Sequence, residues 1–554
     1  MLCANRFRVL IMKALVRLTL CITSLWVLGA CSNGDSDSVK SSSVPSSSSS
    51  SSSLSLPAVL SGVITYDYVP HKFNHLGLDY SNIQSKPARG VAVELLNPSG
   101  DLIASHITND NGEYAFNTFQ NNMVQLRVKA QLIATDNQWN VSVRDNTDNN
   151  SLYAIQGGLA PIANENELRN IHIASGWNGS RYANTRSAGP FAILDSVYSG
   201  IKKLHSVTPS LVLPPVYFFW SEHNTSAEGD ITRGEIGTSY FSSGGIYLLG
   251  DADVDTDEYD SHVVLHEWTH YLENTISRSD SIGGDHDANQ KLDMRLAFSE
   301  GLANAFSAIL QDDAFYVDTM GSSQSSGFYI NLAEKSHSIR GWYSQRSVGS
   351  IIFNYYLSSD NRTAKSIDDL LKTLTRQDYI THPEFASIYL FSEILKLESP
   401  ASFGSWQNLM SEQLIFSSSA YGEGETNAGG YAENLPVYKL LSLSNPEVTL
   451  CSSNRFGSFN SLSNYQFVKI PIEQAGNYRI QVSTSVGSNT DPDIYLYASG
   501  ILINASVSSR LNQEVMQDFL LQSTYVLTIA EAKVLNESIS NDITHCFNIT
   551  LSVE

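Results

Sequence analysis

The chain has 554 residues, too many for a single hydrophobic core, and this length predicts about three or four domains. It contains 56 Asp and Glu residues against 34 Lys and Arg residues, which gives a formal net charge of −22. The acidic balance argues against nucleic acid or anionic lipid as a partner, because a basic surface is needed to displace the counterions of phosphate groups. With 42% hydrophobic residues, the composition suits a soluble secreted protein.

The N-terminus has the pattern of an export signal. Lys13 and Arg17 precede an apolar run over residues 18–27, which is too short for a comfortable membrane-spanning helix. The following Leu-Gly-Ala-Cys resembles the bacterial lipobox, in which the cysteine is lipidated, and a plain secretory signal is the alternative. The resemblance implies a signal peptide and lipobox over residues 1–31, with Cys31 as the new N-terminus and membrane anchoring through its acyl chains. It also implies a place in the bacterial cell envelope, as an outer-membrane lipoprotein exposed to the periplasm or the cell surface.

Two segments follow this signal. Residues 32–57 are mostly serine and predict a flexible linker, because they cannot bury enough apolar surface to fold. Residues 58–178 predict short strands between turns, with Asn111-Gly112 as a hairpin signal. Their Gly-x-Val and Thr-x-x-x-Gly-x-Tyr-x-Phe order resembles the carboxypeptidase regulatory-like β-sandwich. This resemblance implies a structural spacer, and carbohydrate or matrix binding is the alternative.

The next segment contains an H-E-x-x-H motif in an apolar run of helical spacing, as His266-Glu267-Trp-Thr-His270. Residues four apart lie on one face of a helix, so His266 and His270 can present two imidazoles to one metal ion. Glu267 can reach a water on that ion. A zinc site needs a third protein ligand, and Glu300 is the candidate, because it lies in a predicted apolar helix where a carboxylate must be paired or coordinated. Two hydrogen-bonded surface histidines on an ordinary helix are the alternative.

This arrangement resembles the gluzincin, or thermolysin-like, zinc metallopeptidases over roughly residues 181–415. The resemblance implies that zinc is bound by His266, His270 and Glu300. It assigns Glu267 as the general base that activates water for hydrolysis of a peptide bond. It also implies an α+β zincin-like catalytic domain with a mainly helical C-terminal half.

Two further residues are expected to support these ligands. Thermolysin has an Asp one turn after its glutamate ligand that orients a histidine, and Asn304 stands at this position here. An amide still accepts a hydrogen bond from an imidazole, but more weakly than a carboxylate does. His262 lies one turn before His266, where we expect it to support the site or lie on the surface, with a ligand role in competition with Glu300 as the alternative.

The oxyanion of peptide hydrolysis needs a further hydrogen-bond donor, which in these peptidases is a Tyr or His from a later element. Tyr343 in Gly-Trp-Tyr-Ser-Gln is the candidate, with Tyr355 and His337 as alternatives. For each of these three residues, a role in packing is the competing hypothesis.

Two acidic segments are candidates for calcium binding. The run over residues 251–260 could hold calcium, or could cap the following helix and be solvated. The second segment has oxygen ligands at alternating positions but lacks the glycine and the final glutamate of a calcium loop. A polar rim loop is therefore the alternative, with His286 lining the substrate cleft. The candidate ligands of the second segment are Asp285, Asp287, Asn289 and Asp293.

The C-terminal residues 441–554 return to a pattern of strands and turns that resembles the bacterial pre-peptidase C-terminal β-sandwich. After Cys31, the chain contains only Cys451 and Cys546, near the two ends of this module. In an oxidising compartment such a pair predicts a disulfide, and two buried free thiols are the alternative.

Together these features predict a multidomain protein in which an α+β catalytic domain over residues 179–440 is flanked by two β-sandwich domains. The resemblances imply a zinc-dependent peptidase of extracellular or envelope proteins, lipid-anchored and monomeric, with calcium as a second candidate metal. Two other hypotheses stay open: a non-catalytic cell-surface adhesion lipoprotein with a structural metal site, and a zinc hydrolase of non-peptide substrates. Glu267 argues against the first, because a structural site needs no base beside the metal.

Overall fold

The computed structural model describes residues 55–134, 136–358, 364–536 and 541–554. The predicted signal peptide, the lipidation site at Cys31 and almost all of the predicted linker lie outside the described residues. In the described ranges the chain forms eight α-helices and 28 β-strands arranged in several sheets. This mixture of several sheets and a helical region agrees with the coarse part of the predicted fold class, and the zincin-like catalytic domain stays a prediction.

The helices follow one β-rich segment and precede another. None of those in the described part of the chain is long and apolar enough to cross a membrane. Their bounds are α1 Gly189–Val207, α2 Ser261–Ile276, α3 Met294–Gln311, α4 Gln345–Ser358, α5 Ala364–Thr375, α6 Gln377–Ile380, α7 Ile388–Glu398 and α8 Phe403–Glu412.

Most strands lie before the first helix or after the last, and a few lie between helices. The first nineteen are β1 Pro57–Tyr68, β2 Gln84–Pro87, β3 Val91–Leu96, β4 Leu102–Ile107, β5 Glu113–Phe119, β6 Met123–Ile133, β7 Asn140–Asp145, β8 Ser151–Leu152, β9 Ala154–Gln156, β10 Ala160–Pro161, β11 Asn166–Leu168, β12 Ile171–Ile173, β13 Val216–Trp220, β14 Tyr240–Ser242, β15 Gly245–Leu248, β16 Gly250–Asp251, β17 Asp255–Thr256, β18 Phe315–Met320 and β19 Ser326–Asn331. The others are β20 Tyr438–Leu440, β21 Glu447–Ser453, β22 Gln466–Ile472, β23 Gly476–Val486, β24 Pro492–Ala498, β25 Ile501–Ser506, β26 Gln513–Leu520, β27 Ser523–Glu531 and β28 Thr544–Val553.

The long strand β1 organises the N-terminal β-rich segment. Its side chains alternate between buried and partly exposed positions, as expected for a strand with one face on a core. It pairs antiparallel with β5 and β2, and parallel with β11 and β12. Residues far apart along the segment are therefore held together by one strand.

A second, larger sheet contains strands from both sides of the domain boundary predicted at residue 178. Its central path runs β14-β15-β13-β7-β6-β3-β4. Strand β13 pairs in parallel with β7, with Val216 opposite Val141 and Phe218 opposite Val143. Helix α1 packs on β6 and β7 of this sheet. The residues on the two sides of the predicted boundary thus share one sheet and one hydrophobic core.

Three closely packed helices, α2, α3 and α4, lie at the centre of the helical region. Helix α3 has 17 of its 18 residues buried, in keeping with its mostly apolar sequence. Glycines permit the close helix contacts. A Cβ atom on Gly301 of α3 would lie 2.5 Å from Cβ of Val348 on α4. A Cβ atom on Gly200 of α1 would lie 2.8 Å from the ring of Trp268 on α2.

A small sheet of order β16-β17-β18-β19 lies at the N-terminal end of α2. Strand β17, which leads into α2, pairs with β18, which follows α3, through Asp255 and Met320. The carboxylate of Asp260, the residue before α2, accepts a hydrogen bond from the backbone N–H of Thr319 at 2.7 Å. The start of α2 is therefore tied to the strand after α3.

The C-terminal segment has two sheets, of order β20-β22-β27-β24-β25 and β21-β28-β23-β26. Side chains from both sheets, such as Val468 and Ile549, form a separate hydrophobic core between them. Cys451 on β21 lies opposite Cys546 on β28, and the two form a disulfide. The predicted cysteine pairing is thereby confirmed.

Candidate metal centre

Three potential metal ligands converge where α2 passes α3. Nε2 of His266 lies 3.1 Å from Nε2 of His270 and 3.2 Å from Oε2 of Glu300. Nε2 of His270 lies 3.5 Å from Oε1 of Glu300. Ligand atoms at the usual zinc distances of about 2.0–2.1 Å in a tetrahedron lie about 3.3 Å apart. The three residues, called the metal centre below, therefore have the donor types and the spacing of a zinc site.

The secondary structure explains this convergence. His266 and His270 are one turn apart on α2 and project from the same face. Trp268 lies between them in sequence and points instead toward α1, where it is fully buried. Glu300 lies on α3, which packs along α2. One face of α2 thus contributes to the core, and the other carries the two histidines toward the glutamate.

His266 is oriented by two amide side chains. Its Nδ1 donates a hydrogen bond to Oδ1 of Asn304 at 3.1 Å, and Nδ2 of Asn304 donates to Oε1 of Gln345 at 3.2 Å. With the proton on Nδ1, the lone pair of Nε2 faces the metal centre. Asn304 therefore accepts a hydrogen bond from His266, and Gln345, which the sequence did not single out, fixes the direction of its amide.

His270 is oriented by a serine and a carboxylate. Its Nδ1 lies 3.3 Å from Oγ of Ser299 and 3.7 Å from Oε2 of Glu273. The Ser299 hydroxyl donates to Oε2 of Glu273 at 2.6 Å, and Glu273 is only 2% exposed. Sequence reasoning missed both residues. The available signal was the position of Glu273, a carboxylate one turn after His270 within an apolar helix.

Glu267 lies beside the metal centre with its carboxylate free of other interactions. Its Oε1 is 4.0 Å from Nε2 of His266, and the residue is 8% exposed. Among the described residues, no side-chain or backbone donor makes a hydrogen bond to this carboxylate. Glu267 is therefore available to exchange a proton with a molecule at the centre.

The charges at the centre favour an ionised Glu300. Burial acts to raise the pKa of Glu300, but the charge of His270 and hydrogen bonds from the surrounding histidines hold it well below its ordinary value. Burial acts to lower the pKa of His270, but Glu300 and then Glu273 raise it well above the usual range. A carboxylate that keeps its charge when buried is the form that a cation requires.

His286 also contacts the metal centre. Its Nε2 lies 3.2 Å from Oε2 of Glu300, and its Nδ1 donates to the backbone carbonyl of Gly284 at 3.0 Å. Its side chain is about a quarter exposed, more than that of Glu300. His286 is therefore a partly exposed residue in direct contact with one of the three candidate ligands, and its place in a substrate cleft stays a prediction.

The predicted oxyanion donors lie in other surroundings. The Tyr343 hydroxyl donates to the backbone carbonyl of Arg340 at 3.0 Å or to Oδ1 of Asn427 at 3.1 Å, and no described contact links it to the metal centre. The Tyr355 hydroxyl donates to Asp369 at 3.1 Å. The structure therefore does not bring either tyrosine to the centre, because each hydroxyl holds a neighbouring loop or helix. The tyrosine that does lie close is Tyr316 on β18, with its ring centroid 5.8 Å from that of His266.

His262 is buried beside the same tyrosine. Its ring centroid lies 6.0 Å from that of Tyr316, and burial lowers its pKa to about 4. No described contact joins His262 to His266, His270 or Glu300. It is therefore an uncharged core histidine rather than a direct support of the ligands.

The predicted calcium loop does not gather its four side chains at one point. Asp293 is buried, accepts a hydrogen bond from the backbone N–H of Arg295 at the start of α3, and pairs with the Arg295 side chain at 2.9 Å. Asp287 accepts from the backbone N–H of Asn289 in a local turn. Asp285 interacts through its backbone carbonyl with Asn460. An aspartate that caps a helix and pairs with arginine is not free to bind a cation.

No known family profile matches the chain, and no curated protein sequence matches it. Part of the chain, 21% of its length, is similar to the pre-peptidase C-terminal domain of a collagenase from Bacillus anthracis, at 11% identity over 94% of that domain and a TM-score of 0.16. The same share is similar to a surface-associated copper-binding protein from Methylomicrobium album BG8, at 8% identity over 97% of that chain and a TM-score of 0.16. A periplasmic inhibitor of g-type lysozyme from Salmonella Typhimurium is similar at 15% identity, over 21% of this chain and 98% of that one, with a TM-score of 0.15. None of these likenesses assigns the chain to a family.

Proposed function

We propose that this chain is a zinc-dependent peptidase of the gluzincin type, with His266, His270 and Glu300 as zinc ligands and Glu267 as general base. The observation that carries the proposal is the convergence of two imidazole nitrogens and one carboxylate within 3.1–3.5 Å. Beside them lies the Glu267 carboxylate, to which no donor among the described residues makes a hydrogen bond. A site that only stabilised the fold would need the three ligands but not the free Glu267.

The donor set fits zinc better than a hard cation. Imidazole nitrogen is a preferred zinc ligand, whereas calcium and magnesium prefer oxygen. Both histidines are held through Nδ1, so both offer Nε2 without rearrangement. Zinc in such a site supplies Lewis acidity, which makes water a nucleophile near neutral pH.

Glu267 carries out the proton transfers of the reaction. Its carboxylate accepts a proton from the attacking water and delivers it to the leaving amine nitrogen, which splits the peptide bond. The residue lies in a largely buried position, where a fixed carboxylate needs little reorganisation. His286, which is partly exposed and contacts Glu300, is positioned to contact the substrate. We therefore assign to His286 the hydrogen bond to the oxyanion that the sequence suggested for Tyr343.

The cellular setting of the proposal comes from the sequence. An export signal with a lipobox-like end implies that the peptidase acts outside the cytoplasm on envelope or extracellular proteins. The Cys451–Cys546 disulfide supports an oxidising compartment, since such bonds persist mainly outside the cytosol.

The proposal is tested with the mature chain, from Cys31 onward, purified as wild type and as Glu267→Gln. We expect both proteins to bind one zinc ion, and the variant to cleave casein at least about 100-fold more slowly, since it lacks the general base. His266→Ala serves as a control that should lose zinc and activity together. Equal activity in wild type and Glu267→Gln would contradict the mechanism. Zinc binding without activity in either protein would favour the adhesion hypothesis.

A further inference from the structure

A second cluster of acidic residues lies near the N-terminal end of α2, apart from the metal centre. It consists of Asp255 on β17, Asp257 in the turn before α2, and Asp318 on β18. Each residue offers one carboxylate oxygen, and the three oxygens lie within 4.8 Å of one another. We call these three residues the aspartate cluster.

Asp255 and Asp318 of this cluster each have one carboxylate oxygen without a hydrogen-bond partner among the described residues. Oδ1 of Asp255 and Oδ1 of Asp318 are shielded from solvent, and no hydrogen-bond donor among the described residues reaches either atom. Asp257 is 2% exposed, and its carboxylate accepts a hydrogen bond only from the Ser239 hydroxyl in the described part of the chain. No described Lys, Arg or His forms an ion pair with any of the three. Buried charges without partners cost several kcal/mol or more, so these carboxyls must be either protonated or compensated by a cation.

Two neighbouring acidic residues, Glu258 and Asp260, have partners within the protein. Glu258 pairs with Arg186 at 3.1 Å. The carboxylate of Asp260 accepts hydrogen bonds from the backbone and side chain of Thr319, and its Oδ1 lies 2.7 Å from Nε2 of His71. The fold thus provides partners for two acids of this segment and leaves three carboxylates directed toward one another. A general excess of acidic residues would not explain why Glu258 and Asp260 have cationic or backbone partners while the three cluster carboxylates lie close to one another.

We propose that the aspartate cluster is a calcium site. Calcium binds oxygen ligands at about 2.3–2.6 Å, so two oxygens on opposite sides of the ion lie up to about 5 Å apart, which accommodates the observed spacing. The donors are oxygens only, which suits calcium and does not suit zinc. Water fills the remaining positions of the usual six to eight.

Because the aspartate cluster joins two elements next to the metal centre, an ion bound there would have a structural role. Asp255 and Asp257 belong to the segment that leads into α2, and Asp318 belongs to the strand that follows α3. An ion bound by all three would fasten the start of the helix that carries His266 and His270 to β18, which carries Tyr316 beside His266. Calcium would therefore hold the two helices of the metal centre in register, without taking part in chemistry itself.

The experiment uses the mature chain, stripped of metals and then given one equivalent of zinc. Calcium is titrated alone by calorimetry, and Tm is measured with and without about 1 mM calcium, a concentration at which extracellular calcium modules are filled. We expect one calcium ion per chain and a Tm that rises by a few degrees. Asp318→Asn and Asp255→Asn should lower the calcium affinity at least tenfold and remove the rise in Tm. Asp287→Asn, in the loop that the sequence suggested for calcium, should behave like wild type.

Three outcomes would overturn the inference. The first is an absence of calcium binding up to about 10 mM in a chain that holds its zinc. The second is equal calcium affinity in wild type and Asp318→Asn. The third is loss of calcium binding in Asp287→Asn alone, which would move the site to that loop. The zinc content is measured in the same samples, so failure of the calcium site and failure of the proposed zinc centre are distinguishable.

Discussion

At the scale of single residues, His266 and His270 offer the same ring nitrogen to the metal centre but are held by different partners. The partner of His266 is the neutral amide of Asn304, whereas His270 faces Ser299 and, behind it, the carboxylate of Glu273. A carboxylate partner makes an imidazole a more basic ligand than an amide does. The carboxylate that supports this centre, that of Glu273, therefore acts through His270.

Replacing Glu273 by Gln should weaken zinc binding. The change removes the charge near Nδ1 of His270 while keeping the size of the side chain, and partners of this kind typically contribute about 10–100-fold in metal affinity. Competition with a chromophoric chelator measures the effect. Glu412→Gln, at a half-exposed surface pair with Lys335, should leave the affinity unchanged. The same affinity in Glu273→Gln and wild type would show that the carboxylate has no part in the centre.

At the scale of elements, the position of Glu300 depends on how closely α3 packs against α4. The next residue, Gly301, has no room for a side chain, because a Cβ atom there would lie 2.5 Å from Cβ of Val348. That distance is well inside normal contact, so one of the two helices would have to move. Any such movement shifts the adjacent ligand.

Gly301→Ala should therefore lower both stability and zinc affinity. We expect a loss of about 1–3 kcal/mol in the free energy of unfolding, as for other overpacked cores. Gly404→Ala is the matched control, because Gly404 lies on α8 with no atom within 4 Å of its Cβ position. That change should be neutral or slightly stabilising. Denaturant unfolding and zinc titration measure the two effects, and equal behaviour of both variants would contradict this account of the helix contact.

The pairing of β17 with β18 also predicts a dependence of stability on pH. Burial, and then the charge of Asp318, raises the pKa of Asp255 to about 8. Asp260 and Glu258 act in the same direction. The pKa of Asp257 is raised by burial and then by Asp255. A carboxyl whose pKa rises on folding stabilises the folded state while protonated, and this contribution disappears as the pH rises through the folded-state pKa.

Calcium-free protein should therefore lose stability between the ordinary aspartate pKa of 3.8 and about 8. The measurement is the difference in Tm between wild type and Asp318→Asn across this range, since the variant lacks one of the repelling charges. We expect wild type to become the less stable of the two as the pH rises, and saturating calcium to reverse the difference. A difference in Tm that does not change with pH would show that these carboxyls do not titrate in this range.

At the scale of the whole molecule, the features that depend on local spacing could be predicted from the sequence. His266 and His270 are one turn apart, and Glu300 is a carboxylate in an apolar helix, so their convergence required only that α2 and α3 pack together. The disulfide followed from a count of cysteines. In each case the sequence contains the spacing or the residue type that produces the contact.

Features that depend on contacts distant in sequence could not be predicted. Asp318 meets Asp255 only because β18 pairs with β17, and the sequence alone does not reveal that pairing. Strand β13 joins the N-terminal sheet for the same reason, although its apolar sequence identified it as a strand. The place of Tyr343 in the chain suggests an oxyanion donor, but it says nothing about the direction of the hydroxyl. The roles of Ser299 and Glu273 depend on the rotation of the His270 ring.

The central claim is that one zinc ion binds at His266, His270 and Glu300, and anomalous diffraction at the zinc absorption edge tests it most directly. Crystals of the mature chain with one equivalent of zinc should show a single strong anomalous peak. It should lie about 2.0–2.2 Å from both Nε2 atoms and from a Glu300 oxygen. No peak at this position, or a peak elsewhere with these three residues unoccupied, would contradict the account.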